Sequence, residues 1–357
     1  MRPTDLPQPL ATLMVATCNV LNLANPGRMF YDNQDPYSAA EFERKITWLG
    51  ERFRMLNADV LAVQEVWDDT AFKDAVLASG LRYDTHTVKA TPLGGTSELE
   101  RQFDNVSASI AGFLRPAPGL FLGLSLAHNE RAPSEVELFA DGLHIATAAY
   151  ETGDTGLRTE KVNTLEGTVH YDAGKVSADL HVYASKYDGF IDERPTGATF
   201  TADGEDFPVF QFVQTDATFY GFEAEGAYAL WEQGTRKLAL EGAVDYVHAE
   251  TDLGPAARIP PWSATARLAW TSTPFDASVE VRHVAEQDRV ADLELPTNDY
   301  TLLNLAAAWR PLADRNVTVF AEAKNLTDEE AREHVSFLKD IAPMPGRNFR
   351  VGVAYRF

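Results

Sequence analysis

The sequence predicts a mainly β chain, in which a small α/β opening precedes about eleven amphipathic antiparallel strands. Three observations carry this prediction. The final segment, Gly346-Arg-Asn-Phe-Arg-Val-Gly-Val-Ala-Tyr-Arg-Phe357, alternates Phe349, Val351, Val353, Tyr355 and Phe357 with Arg350, Gly352, Ala354 and Arg356. A strand repeats every two residues, so this segment has one apolar face and one polar or small face. The same alternation recurs in run after run upstream. Short turns alternate with long loops between those runs. Lipid on one face and a wet lumen on the other produce all three features, so the predicted fold is the C-terminal part of a transmembrane β-barrel.

Composition narrows the function classes. The formal net charge is -22, which gives no electrostatic footprint for a phosphate backbone, and a nucleic-acid partner is not expected. Cys18 is the only cysteine, so an intrachain disulfide and a multi-cysteine metal site are excluded. No run of about 18 apolar residues exists, which excludes a membrane-spanning helix and says nothing against strands. The first ten residues hold three prolines and Asp5 where a secretory apolar core would lie, so export of this chain is an expectation at odds with its start.

Taken in order, residues 12–23 read as a buried strand ending at Asn19 and Asn22. Ser38 is a candidate helix N-cap with Glu41 as its capping-box partner. Phe42, Ile46, Leu49 and Phe53 then fall on one helical face over residues 39–56. Residues 60–63 form a second short buried strand that ends in Gln64-Glu65, and residues 70–79 read as a second helix closed by Gly80. Strand, helix, strand, helix opens an α/β arrangement. Thr91-Pro-Leu-Gly-Gly-Thr-Ser97 is a linker signal. The domains are therefore drawn as residues 1–95, a seam at 96–102, and residues 103–357.

Beyond the seam, Leu120, Leu122, Leu124 and Leu126 interleave with Phe121, Gly123 and Ser125. Leu238, Leu240 and Val244 interleave with Lys237, Glu241 and Asp245, and Val279 and Val281 with Ser278, Glu280 and Arg282. Short turns are expected at 115–119, 172–174, 233–234, 273–274 and 313–315. Long loops are expected at 131–158, 190–207, 250–261, 286–298 and 328–347, with a short helix over residues 328–334. Tyr187, Tyr228, Trp231, Trp262, Trp270 and Trp309 suit interfacial girdles. The scattered histidines, among them His128, His144, His170, His181, His248 and His334, lack ligand spacing on any one strand and read as lumen or loop residues.

Two stretches carry family resemblances. Ala16-Thr-Cys-Asn19-Val-Leu-Asn-Leu and Ala58-Asp-Val-Leu-Ala-Val-Gln-Glu65-Val resemble the first two motifs of the endonuclease/exonuclease/phosphatase superfamily. The resemblance implies that Asn19 and Glu65 are catalytic positions and that Glu65 ligates a divalent metal, usually Mg²⁺. That ion keeps several waters and needs few carboxylates. The family's later motifs are missing: Gly204-Glu-Asp-Phe207 is a poor match to a Gly-Asp-Phe-Asn segment, and no Asp-His pair occurs. This truncated fragment is therefore expected not to act as an enzyme.

The second resemblance covers roughly residues 101–357. Asn129-Glu-Arg-Ala-Pro-Ser-Glu-Val-Glu-Leu-Phe139, Gly142-Leu-His-Ile-Ala-Thr147, Leu157-Arg-Thr-Glu160 and Lys324-Asn-Leu-Thr-Asp328 resemble the signature stretches of TonB-dependent receptor barrels. The resemblance implies about half of a roughly 22-stranded barrel. It further implies an outer-membrane location in contact with lipid, and engagement of the barrel-assembly machinery through Phe357. Energy-coupled uptake of a scarce nutrient such as a metal chelate follows as the family function, with no cofactor for the barrel. The plug domain and energy-coupling box are not found in this sequence, so uptake is expected to be impaired. A smaller complete porin-like barrel is the alternative for this part. The whole then reads as a chimeric fusion.

Overall fold

The computed structural model describes residues 15–23, 38, 41, 44–45, 60–66, 75–91, 98–312 and 317–356. At the start, β1 (Val15–Leu23) and β2 (Val60–Val66) pair in parallel, Val15 opposite Val60 and Asn19 opposite Gln64. A parallel pair needs a crossover connection, and the expected helix start lies within it. Ser38 donates its backbone N–H to the Glu41 carboxylate (2.9 Å) while the Glu41 N–H donates to Ser38 Oγ (3.3 Å).

All other strands share one fifteen-stranded sheet. The chain rises and falls through β3 (Ala75–Ala90), β4 (Leu99–Ala117) and β5 (Leu120–Arg131). A short helix α1 (Glu135–Phe139) and a hairpin of β6 (Asp141–His144) and β7 (Ala149–Thr152) follow in the first wide loop. The sheet resumes with β8 (Glu160–Ala173), β9 (Val176–Ala202), β10 (Glu205–Gln233) and β11 (Arg236–Thr251). After the two-residue β12 (Gly254–Pro255) come β13 (Ser263–Thr271), β14 (Phe275–Val284), β15 (Tyr300–Trp309), β16 (Val317–Lys324) and β17 (Asn348–Tyr355). Twelve of these lie side by side from β3 to β17, each antiparallel to its neighbours, and β6, β7 and β12 are annexed to them. The only parallel contact of this sheet among the described residues is β7 against β10.

Directly opposed residues of an antiparallel pair point to the same side, so the register assigns the faces. Tyr228, Leu240, Leu268, Val279, Leu305 and Ala323 form one continuous outward row. On the other side Glu241, Arg267, Glu280 and Asn304 form an inward row. The outward row is open to the surroundings: Leu124 is 58 %, Leu240 46 % and Val351 76 % exposed. Buried apolar residues of the strands are mostly alanines. A soluble sandwich would have shut its leucines and valines between two layers, whereas here they face outward as a lipid-facing band.

The true apolar clusters sit at the ends of the strands, under the wide loops. Phe103, Leu138, Leu157 and Ile191 form one, and Val284, Tyr300, Leu302 and Ala331 the other. At the opposite rim the connections are tight. Gly119, at φ +75°, stands where a Cβ would meet the Asp172 carbonyl oxygen at 1.9 Å. Its own carbonyl accepts the Asp172 N–H at 2.7 Å. Only glycine takes this conformation at that distance.

Three expectations are corrected. Residues 75–79 belong to strand β3 and not to a helix, since pairing with β4 along sixteen positions outweighs their moderate helix propensity. The sheet consequently begins ahead of the seam drawn at 96–102. Residues 190–207 are not a loop: β9 and β10 run 27 and 29 residues and continue as one tall hairpin. Residues 328–333 are irregular rather than helical, and a turn begins only at His334. The eleven spanning strands expected beyond the seam are β4, β5, β8–β11 and β13–β17, and β3 ahead of it makes twelve among the described residues. The turn expected at 313–315 and the terminal Phe357 lie outside the described residues.

Candidate functional site

The inward wall is polar from edge to edge. His170 Nδ1 meets Asp179 Oδ1 at 2.5 Å, and His181 lies 3.6 Å from Glu166. Ser263 Oγ donates to Asp245 at 2.6 Å. Arg267 pairs with Glu241 at 3.5 Å, Asn304 donates to Glu280 at 3.0 Å, and Arg350 pairs with Glu322 at 3.7 Å. Each pair bridges neighbouring strands, which is what opposed positions on a pleated sheet allow. Between this wall and the Met344–Gly346 backbone lies a recess of about 740 Å³, lined by Arg267, Glu280, Arg282, Asn304, Glu322 and Lys324 among others. Both signs of charge line it, so it can hold a polar ligand by several charged contacts.

Above the wall the long loops are tied together by a single carboxylate. Glu294, in the loop between β14 and β15, accepts the backbone N–H groups of Arg258 (3.1 Å) and Ala291 (3.2 Å). It also accepts from Lys339 Nζ at 2.9 Å, and His334 Nε2 lies 3.1 Å away though not aimed along a hydrogen bond. Thr297 Oγ1 stands 2.9 Å from His334 Nδ1. Three loops thus converge on one side chain. Burial would raise the Glu294 carboxyl, but His334, Lys339 and the two backbone N–H groups outweigh it and bring it down to about 2. Leu293 and Arg258, which flank the knot, both take positive φ, 65° and 57°. Neither residue prefers that region; the Arg258 N–H bonds the Glu294 carboxylate, and Leu293 lies inside the turn closed between Ala291 and Glu294.

The first wide loop has a similar knot. Ser134 caps α1 with a full capping box to Glu137. Arg131 bridges Glu137 (2.9 Å) and Glu160 (3.1 Å), and Glu160 accepts the Ile191 N–H at 2.8 Å. Burial raises the Glu137 carboxyl, and Arg131 with the Ser134 N–H lowers it further than burial lifts it. Near the base of the tall hairpin, burial and then the neighbouring Glu151 push the Glu193 carboxyl up to about 7, against Arg258 and His144. Glu193 lies far along β9, beyond the 9–11 or so residues that a strand needs to cross a bilayer. The last wide loop is braced by Asn325 and Asp328, at φ 50° and 62°. Asn325 exchanges 2.8 Å hydrogen bonds with the Glu329 backbone, and Asp328 accepts the Arg347 N–H at 2.8 Å. Asn and Asp tolerate this backbone region best among non-glycine residues.

The predicted site residues fall elsewhere. Asn19 stands at the middle of β1 and Glu65 next to the last residue of β2, and their side chains lie outside the described features. Among the described residues no group of three or more His, Cys, Asp or Glu side chains could hold a metal ion. The histidines have individual partners: His128 bonds Asn163, His144 bonds Glu151, and His248 stacks on Tyr220. Sequence reasoning passed over Glu294 and Lys339, which no local motif marks. The Arg131–Glu137 knot had a signal, the Ser-x-x-Glu spacing of its capping box.

Two aromatic levels bound the outward face. Trp231 stacks on Trp270 with centroids 5.6 Å apart, and Phe275 stands opposite Trp309, all toward the short-turn rim. Trp262 packs on His283 at 5.3 Å toward the long-loop rim. The two levels are separated by roughly 25 Å of strand at about 3.3 Å per residue, which matches a bilayer's apolar layer crossed by tilted strands. No described helix is long and apolar enough to cross a membrane.

Polar wall inside, apolar belt outside and knotted loops at one rim define an outer-membrane barrel. The family described as TonB dependent receptor-like, beta-barrel matches residues 66–326, and the chain belongs to that family. Among solved structures, the Copper transporter OprC superposes with a TM-score of 0.66 at 22% identity, covering 80% of this chain and 46% of that one. The FrpB iron transporter from Neisseria meningitidis (F5-1 variant) gives 0.61 at 18% identity, covering 80% and 44%. A ferric enterobactin receptor mutant from Pseudomonas aeruginosa gives 0.57 at 17% identity, covering 80% and 43%. The chain spans less than half the length of these structures.

Proposed function

We propose that this chain is the wall and loop portion of an outer-membrane receptor that takes up a scarce nutrient, such as a metal chelate, by energy-coupled transport. The observation that carries the reading is the register-long separation of an apolar outward row from a charged inward row, topped by loops knotted at Glu294. Similar proteins titled copper transporter, iron transporter and ferric enterobactin receptor favour a metal or its chelate as the cargo. The wall's paired charges contact such a polar cargo, lipid surrounds the outward face, and the terminal Phe357 engages the barrel-assembly machinery. The test is binding of a ferric catecholate chelate and of copper(II) to the full chain, folded in detergent and followed by tryptophan fluorescence. Saturable quenching that weakens when Arg282 and Lys324 are replaced by Gln supports the reading, and no binding of either cargo sinks the metal assignment.

A second reading applies to the opening residues, favoured by the parallel β1–β2 pair that sets Asn19 beside Gln64 and next to Glu65. In this reading the fragment is a remnant of a Mg²⁺-dependent phosphoesterase, joined to the barrel in the stretch between β2 and β3. Glu65 would hold the ion and Asn19 would support the phosphate; bound Mg²⁺ would polarise the phosphoryl group. A phosphodiesterase assay with and without EDTA, and with Glu65→Ala as control, tests it. We expect no EDTA-sensitive turnover, because no Asp-His pair exists to orient a base; turnover lost in Glu65→Ala would contradict that.

A further inference from the structure

Near the long-loop rim the outward face is not a uniform apolar belt. Tyr220 lies eight residues before Tyr228 on β10 and so shares its outward side. Opposed to it in succession stand Ala184, Leu165, Leu126 and Ile110, one mostly apolar row across five strands. Two residues nearer the loops, the next outward row runs Thr218, Lys186, Asn163, His128 and Ala108. That row is mostly polar. Ala108, Ala184 and Thr218 are short, and a groove of about 540 Å³ opens between the rows. Ile110, Leu126 and Leu165, each about half exposed, wall it on the bilayer side. His128, Asn163 and Lys186 close it on the loop side.

We propose that this groove binds one lipid with an anionic phosphate headgroup, an acyl chain along the apolar row and the phosphate at Lys186 and Asn163. These two residues are directly opposed on β9 and β8, which sets their Cβ atoms about 5 Å apart on one face. Lys161 and Arg289, cations near the same rim, are taken by Glu130 and Glu250. The exposed Lys186 has no ion pair among the described residues. Asn163 Oδ1 meets His128 Nδ1 at 2.9 Å, and its amide nitrogen keeps two unused donors among the described residues. An ammonium and an amide on opposed positions suit the oxygens of one phosphate. The nearby acids do not fill that place. Glu130 is engaged by the Val106 N–H (2.7 Å), Lys161 and His128, and Asp188 stands nearer the rim, opposite Lys161. The depth agrees as well. His128 and Asn163 lie three residues below Arg131 and Glu160, where the wide loop begins, and a lipid-facing lysine costs far less there than at the midplane. A free phosphate needs no apolar wall, and a protein partner would have to displace the bilayer; a lipid uses both halves of the groove.

The inference is independent of the cargo and needs only that the outward face meets lipid. The full chain, delipidated in detergent, is titrated with phosphatidylglycerol, with phosphatidylcholine of the same acyl chains, and with inorganic phosphate, and bound molecules are counted by native mass spectrometry. One phosphatidylglycerol per chain is expected to survive activation that strips phosphatidylcholine. Lys186→Gln is expected to weaken that binding about tenfold, the loss of one charge-assisted hydrogen bond. Lys186→Arg, which keeps the charge, retains it, and Lys175→Gln, in the short turn between β8 and β9, leaves it unchanged. Ala184→Trp fills the groove and removes the lipid although both donors remain. Equal retention of the two lipids, or equal weakening by Lys175→Gln, shows unspecific boundary lipid and overturns the proposal. Inorganic phosphate that binds as tightly as phosphatidylglycerol and persists in Ala184→Trp shows an anion site alone and overturns the lipid assignment.

Discussion

Glu294 shows how much a single carboxylate can organise. Its ordinary carboxyl value is lowered to about 2 by His334, Lys339 and two backbone N–H groups. A depressed carboxylate contributes stability that is present above its unfolded value of about 4.5 and is lost as the pH falls through 2. Loop protection against protease is therefore expected to decline between about pH 4.5 and 2. Glu294→Ala leaves Lys339 buried without its counter-charge, which costs on the order of 3 kcal/mol; faster proteolytic nicking of residues 325–347, with strands intact, is the expected outcome. Glu193 works in the opposite sense. Its carboxyl is raised to about 7, so its contribution is full below about 4.5 and lost as the pH rises through 7. Hydrogen-exchange protection at the base of the β9–β10 hairpin, corrected for the intrinsic pH dependence of exchange, should fall between about pH 4.5 and 7 in the native chain and not in Glu193→Gln. Neither residue was legible in the sequence: Glu294 is placed by loops whose paths no periodicity records, and Glu193 stands in the part of β9 whose residues resemble a loop.

At the scale of strands, alternation did most of the prediction. Leu240 and Glu241 are neighbours in sequence and belong to different solvents, one in the row with Tyr228 and Leu268, the other beside Arg267. Leu240→Arg is expected to cost about 2–4 kcal/mol in bilayers, while Glu241→Gln costs little; urea titration of folding into lipid vesicles distinguishes them. Gly119→Ala meets both a positive φ and the Asp172 carbonyl, and a lower unfolding midpoint is expected by the same titration. Two elements were misread for identifiable reasons. Residues 75–79, Ala-Val-Leu-Ala-Ser, have no polar partner to reveal a period of two, and only β4 across the sheet decides them. The β9–β10 hairpin does carry a strong local signal, Asp203-Gly204, with φ 52° and 84°. That pair suits a two-residue hairpin turn, yet Thr196, Gly197 and Pro208 around it resemble a loop.

For the whole molecule, the two aromatic levels set its depth. Trp231, Trp262, Trp270 and Trp309 all lie on the outward face near a margin of the apolar belt. Brominated lipids should quench most of the tryptophan emission of the folded chain, and those brominated near the headgroup should quench more than those brominated at the tail ends. Emission untouched by any brominated lipid would mean the outward row does not meet lipid. The tall hairpin has a different consequence. At 27 and 29 residues, β9 and β10 overshoot the bilayer by some fifteen residues each, roughly 40 Å of tilted strand. Its tip at Asp203-Gly204 is joined to the barrel by a ladder that shifts register at Pro208–Phe210 and Thr215–Ala217 and is braced there by β7 and by Tyr150 on Phe200. A short foreign peptide inserted there would be displayed on the cell surface like a flag on a mast, reachable by antibodies while the wall below stays undisturbed.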